Sequence, residues 1–138
     1  MRAIERKDVK LLSSARESFP DAWNEEMLSS AFDGGRFFGF LEEREEGFAF
    51  VTFSLSIDTA DIEDVFTSES LRRRGIAKAL LLRALTFIKE KGKDRVLLEV
   101  NEKNAPAIAL YFSLGFRKIA VRKKYYSDGD ALVLEKEL

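Results

Sequence analysis

The stretch LRRRGIAKALL, residues 71–81, sets Arg72, Arg73 and Arg74 against Gly75 and runs on into an apolar pattern of helical spacing. A helix start leaves its first backbone N–H groups unpaired and carries partial positive charge, so it suits an anion. Gly75 lets the backbone approach closely or take a positive φ, and the three arginines with Lys78 add neutralising charge. The chemistry this favours is the grip of a phosphate or diphosphate. No G-x-x-x-x-G-K phosphate loop is present, and a single glycine in the window excludes the G-x-G-x-x-G dinucleotide pattern. Taken alone, the arginines also suit a solvated surface.

Histidine and cysteine are both absent. That removes the usual zinc ligands, and with them the Ser-His-Asp and Cys-His nucleophilic machines. Proton transfer must rest on Glu, Asp, Lys, Tyr, a terminus or water. Glu99 is the sole charge within VLLEV and stands at the carboxyl end of its strand, where ligands of parallel sheets collect. On the residues alone, a strand-end carboxylate facing water or pairing with Arg95 is the plainer reading. Glu63 and Asp64 form a second carboxylate pair near the same centre. Tyr111 has the spacing of a core aromatic, with Ile108 and Leu114.

Elements that would position these groups are read from periodicity. Residues 8–19 and 24–32 read as helices, the first ending before Pro20 and the second capped by Asn24. RFFGFLEER and GFAFVTFSLSI form a hairpin whose acidic turn, Glu42, Glu43, Glu45 and Glu46, closes on Gly47. DIEDVFT, residues 61–67, is a further strand. A helix from Gly75 to Lys91 stops at Gly92, and DRVLLEV, residues 94–100, is a short buried strand. Asn104 caps a helix that tolerates Pro106 in its first turn and ends at Gly115. RKIAVRKKYY, an SDGD turn and ALVLEKEL close the chain as a hairpin. The order is ααβββαβαββ, with a right-handed parallel crossover inside a mixed sheet.

Composition bounds the rest. A chain of 138 residues, 46% hydrophobic with twelve phenylalanines, is expected to form one domain, 1–138, around one core. No run of eighteen apolar residues and no signal-peptide core occurs, so a soluble, cytoplasmic protein is expected. Residues 1–69 hold 7 Lys/Arg against 16 Asp/Glu, while residues 70–138 hold 16 against 8. The basic half suits a polyanion, or simply complements the acidic half. A sequence pI near 5.7 and the lack of a stacking series argue against nucleic acid.

Arg72-x-x-Gly75-x-Ala77 resembles the R/Q-x-x-G-x-G/A loop of the GNAT acetyltransferases, with Ala in the last glycine position. The likeness continues through LEVNEKNAPAIALYFSLGFRKIAVRKKYY, spans about residues 62 to 126, and is of the type that acetylates N-terminal alanine of ribosomal proteins. FPDAWNEEML near the start is similar to the same type. The resemblance implies an α/β (α+β) GNAT fold: one mixed, mostly antiparallel sheet, a central parallel pair splayed around acetyl-CoA, and about four flanking helices. It implies acetyl-CoA as donor, with no metal. Val65, Phe66 and Thr67 would offer backbone to its pantetheine arm. Arg72, Arg73, Arg74, Gly75, Ile76, Ala77 and Lys78 would hold its diphosphate, and Asn104 would touch it unless it serves only as a cap. Glu99 becomes the general base, with Glu63 or Asp64 able to share that role, and Tyr111 the acid. Tyr125 and Tyr126 would line an acceptor groove, or else pack under the last hairpin. The implied acceptor is a protein N-terminus, the alternatives a small amine or a lysine side chain, on a monomer or homodimer.

Overall fold

In the computed structural model, which describes residues 1–20 and 22–138, alternating apolar residues build one seven-stranded sheet. Its strands are β1 (Arg2–Ala3), β2 (Phe37–Arg44), β3 (Gly47–Leu55), β4 (Thr59–Thr67), β5 (Arg95–Asn101), β6 (Arg117–Tyr126) and β7 (Gly129–Glu137). They lie in the order β1-β2-β3-β4-β5-β7-β6. Among the described residues only β4 and β5 run parallel, joined through helix α3 (Ile76–Glu90), and the other pairs are antiparallel. This is the mixed sheet that the sequence led us to expect.

α3 and α4 (Ala105–Ser113) cover one face of the sheet through Leu80, Leu81, Ala84, Ile88 and Tyr111. α1 (Val9–Ser13) and α2 (Glu25–Asp33) cover the other through Val9, Leu12 and Leu28. Phe53 lies at the centre of the first layer, fully buried, with the rings of Phe38, Phe40 and Phe87 at 6.1, 6.2 and 5.6 Å. Asn24 caps α2 as expected, accepting from the Met27 N–H at 2.8 Å, with Glu25 and Glu26 in the favourable first turn. The single helix expected over 8–19 is broken instead. Only Val9–Ser13 is α-helical, between 3-10 turns at Arg6–Asp8 and Ser14–Glu17. Ser13 and Ser14 donate back to the carbonyls of Lys10 and Leu11, a local bond that competes with helix propagation. The two-residue β1 is too short to leave a periodic signal.

Two register details create space in the middle of this sheet. β4 and β5 pair only from Thr59↔Arg95 to Ile62↔Leu98 and then part. On the other side of β4, Thr52 faces Asp64 while Phe53 faces Ile62, so Glu63 is an extra residue without a partner on β3. Such a bulge sharpens strand twist and re-aims the side chains beyond it. Ile62 accordingly packs with α3, whereas Phe66 packs on the α1–α2 face and Val65 returns to the α3 side.

Candidate active site

A cavity of about 1170 Å³ opens where β4 and β5 part. At one end, the loop before α3 puts Arg73 at φ 65° and Gly75 at φ 75°. A non-glycine residue in the left-handed region is uncommon and costs energy, and alternating hand turns successive N–H groups toward one side. A Cβ on Gly75 would meet no protein atom within 4 Å, so the positive φ, and not crowding by the chain, is what calls for glycine. Arg72, Arg73, Gly75, Ile76, Ala77 and Lys78 line this end. Arg74 does not; it turns to Glu46 at 3.6 Å. The Arg72 Nε donates to the Thr67 carbonyl at 3.2 Å, tying the loop to the end of β4.

Between the ends runs the β5-side edge of β4, which among the described residues has no strand partner beyond Ile62. Val65, Phe66 and Thr67 border the cavity along it. Asn104 borders it from the far side and also caps α4, its Oδ1 accepting from the Ala107 N–H at 3.3 Å. The cap and the cavity position coexist, so the two sequence readings of Asn104 do not compete.

Carboxylates and tyrosines gather at the other end: Asp61, Glu63, Asp64, Glu99, Tyr111, Tyr125 and Tyr126 all line it. Glu99 does not pair with Arg95, which is taken by Glu135 at 3.1 Å. Its Oε1 instead accepts from Arg122 at 2.6 Å, while its Oε2 is buried without a hydrogen-bond partner among the described residues. Tyr111 is 7% exposed, sits edge-on to Phe116 at 5.9 Å and belongs to the main core, yet borders the cavity. Burial, followed by Tyr126 and Asp64, pushes its hydroxyl far above the ordinary tyrosine range, so it keeps its proton. Tyr125 is half exposed and meets Tyr126 edge-on at 5.0 Å; the Tyr126 hydroxyl donates to the Glu99 carbonyl at 3.3 Å. The acidic turn lies away from this end: Glu42 meets the N-terminus and Arg44, Glu43 meets Arg2, and Glu46 meets Arg74 beside the loop before α3.

Asp61 and Arg122 are members of this cluster that sequence reasoning did not single out. Asp61 stood in plain view in DIEDVFT, two residues before Glu63; Arg122 left no local signal, because its reach to Glu99 depends on strand order. Burial first, and the charge of Glu99 second, raises the Asp61 carboxyl above its usual range. Glu63 is pushed up to about 7, chiefly by burial, against a lowering hydrogen bond from Ser54 and with help from Asp61, Asp64 and Glu99. Between the ordinary 4.5 and that value the folded chain holds the proton that the unfolded chain has lost. Stability from this group is therefore greatest below the lower value and falls as pH rises through the higher one. Glu63→Gln is expected to gain about 1–2 kcal/mol over wild type between pH 5 and pH 8, the partial exposure of the group reducing the full effect. Urea unfolding at the two pH values measures it, and an unchanged difference would refute the buried acid.

The model of the acetyltransferase (GNAT) family matches residues 9–116. The [ribosomal protein bS18]-alanine N-acetyltransferase of Escherichia coli K12 is 33% identical over 122 residues, covering 85% of this chain and 80% of that one. The chain belongs to the GNAT acetyltransferases. The crystal structure of the ribosomal-protein-S18-alanine N-acetyltransferase from Escherichia coli superposes with a TM-score of 0.88 at 27% identity, over 98% of this chain and 90% of that one. An N-alpha-acetyltransferase of Saccharolobus solfataricus is 43% identical over 72 residues, 51% of this chain and 43% of its own length. As a GNAT N-acetyltransferase, the protein takes its acetyl group from acetyl-CoA. The cavity suits such a donor: left-handed backbone with Arg73 and Lys78 at one end, an unpaired strand edge, and protonatable side chains at the other. Among the described residues no helix is long and apolar enough to cross a membrane.

Proposed function

We propose that this GNAT enzyme acetylates the α-amine of a protein N-terminus, with Glu99 accepting the proton of the amine and Tyr111 supplying one on the leaving side. The observation that carries this reading is the pairing of unlike groups in one gap. Glu99 offers a buried oxygen without a partner among the described residues, and Tyr111 is a buried hydroxyl held protonated. The similarity to an N-terminal alanine acetyltransferase over 85% of the chain supports the acceptor class.

Bound acetyl-CoA supplies an activated acyl thioester and a thiolate leaving group. Everything else falls to the chain. Backbone groups of Val65, Phe66 and Thr67 on the open β4 edge hold an extended arm by strand-like pairing. The amides from Arg73 to Lys78, with the side chains of Arg73 and Lys78, hold a diphosphate; Arg72 and Arg74 contribute through backbone and through the charge of the loop. Asn104 closes the opposite wall. Ammonium is not nucleophilic, so the Glu99 Oε2 must take a proton before the amine can attack. The Tyr111 hydroxyl donates its proton to the departing sulfur and regains one, through water, from the nitrogen, which sheds its second proton as the amide forms, while the first leaves Glu99 for solvent. Tyr125 and Tyr126 flank the acceptor's entry. Direct transfer in a ternary complex requires no covalent enzyme species and relies on positioning.

The acceptor is tested with peptides carrying one free amine. An α-amine peptide with blocked lysines is expected to be acetylated, and its N-terminally blocked counterpart, with a free lysine, is not. The reverse pattern, or activity on small amines alone, overturns the proposal. Arg73→Ala combined with Lys78→Ala is expected to weaken acetyl-CoA binding about tenfold and to flatten its salt dependence. Calorimetric titration at two salt concentrations measures both; affinity equal to wild type would move the diphosphate elsewhere.

A further inference from the structure

Arg122 stands two strands away from the residue it pairs with. β7 lies between β5 and β6, so a bond from Arg122 to Glu99 must cross about 10 Å of sheet. The register shows how it does so. Arg122, Ala131 and Asn101 occupy one row, with Glu99 and Val133 in the row two residues along on the same face. Buried Ala131 is small enough for the arginine stem to pass over β7.

The backbone beside Arg122 is distorted in a way that serves this reach. Arg122 pairs with Ala131 and Tyr126 with Gly129, so residues 123–125 of β6 face Asp130 alone. Lys124 carries the excess chain at φ 54°, a conformation costly for lysine, and its N–H donates to the Asp130 Oδ1 at 2.8 Å. The guanidinium of Arg122 then lies over the Tyr125 ring at 4.7 Å and against the Glu99 Oε1 at 2.6 Å. A glutamate side chain alone has freedom to choose among rotamers, and either oxygen could face the gap. With Oε1 committed to Arg122, Oε2 is the oxygen left without a hydrogen-bond partner among the described residues, with Tyr125 standing beside the same carboxylate.

We infer that Arg122 is a positioning residue for the transfer reaction: it fixes Glu99 through Oε1, so that Oε2 is the oxygen offered to the acceptor amine. Its cation also offsets the crowding of Asp61, Glu63, Asp64 and Glu99 at this end of the cavity. The inference rests on Glu99 being the proton acceptor, and the test separates the two. Arg122→Ala, Arg122→Lys, Glu99→Gln and the double variant Arg122→Ala/Glu99→Gln are compared for kcat, peptide KM and acetyl-CoA affinity. Arg122→Ala is expected to lower kcat about ten- to thirty-fold with acetyl-CoA affinity unchanged, since a misplaced catalytic group is costly even when present. Arg122→Lys recovers part of that loss. On the Glu99→Gln background, removing Arg122 changes kcat by less than about twofold, because its partner no longer performs the step. Asp130→Ala, which keeps Arg122 but unfastens the bulge, gives a smaller loss of the same kind. If Glu99→Gln lowers kcat while Arg122→Ala does not, the positioning role falls and the base stands. Equal losses on both backgrounds mean that Arg122 acts on the acceptor directly, and a gain in kcat means that it obstructs Glu99; either overturns the inference. A silent Glu99→Gln sinks the underlying assignment of the base.

Discussion

Glu99→Gln is expected to lower kcat by about 10²–10⁴-fold while acetyl-CoA affinity stays within about twofold of wild type. The amide is nearly isosteric and still accepts from Arg122, so the ion pair becomes a hydrogen bond and the geometry of β5 is preserved. What is lost is the ability of the inner atom to receive a proton. Glu63, with its carboxyl near 7, is the neighbour able to compensate through water. If Glu99→Gln retains more than about a tenth of wild-type kcat and Glu63→Gln does not, the base belongs to the bulge of β4. Stopped-flow or coupled assays of both variants at saturating peptide decide between them.

Phe53→Ala is expected to cost about 3–5 kcal/mol. Phe53 has no exposed surface and touches three other rings, so truncation removes apolar burial and leaves a void among Phe38, Phe40 and Phe87. It also faces Ile62 at the register slip that isolates Glu63. Collapse around the void would let β4 shift, so the variant should lose acetyl-CoA affinity under conditions where it is still folded. Chemical denaturation gives the first quantity and titration the second. A loss under about 1 kcal/mol would mean that the aromatic layer is looser than its geometry indicates.

Much of the architecture was legible because it is written in local periodicity. The helix after Gly75 begins at Ile76, DRVLLEV is a buried strand, and Asn24 and Asn104 cap where they were expected to. The loop was legible only in part: three arginines and a glycine before an apolar helix suit an anion or a solvated surface alike, and the positive φ of Gly75 was foreseen where that of Arg73 was not. Within the site, the neighbourhood of Glu99 and Tyr111 came from resemblance, and periodicity alone would have left Tyr111 in the core. It is in fact both a core residue and a cavity residue. Arg122 was illegible for a different reason. Its importance depends on a strand order in which β7 intervenes, and on a slip of two residues in the last hairpin. Neither leaves a trace in RKIAVRKKYY. The first helix failed in the other direction: Val9, Leu12 and Ala15 keep helical spacing, but Ser13 and Ser14 divert the backbone between them.

The parting of β4 and β5 leaves the sheet short of pairing at its own centre, where other proteins are most firmly knit. An extended ligand arm laid along Val65 to Thr67 would act as a surrogate strand, restoring the ladder the chain forgoes. Folding and donor loading would then be thermodynamically joined: at a hundredfold excess over Kd, acetyl-CoA should add about 2.7 kcal/mol to unfolding. The empty enzyme should be the form most open to proteases, and supply of acetyl donor would set how long each copy survives.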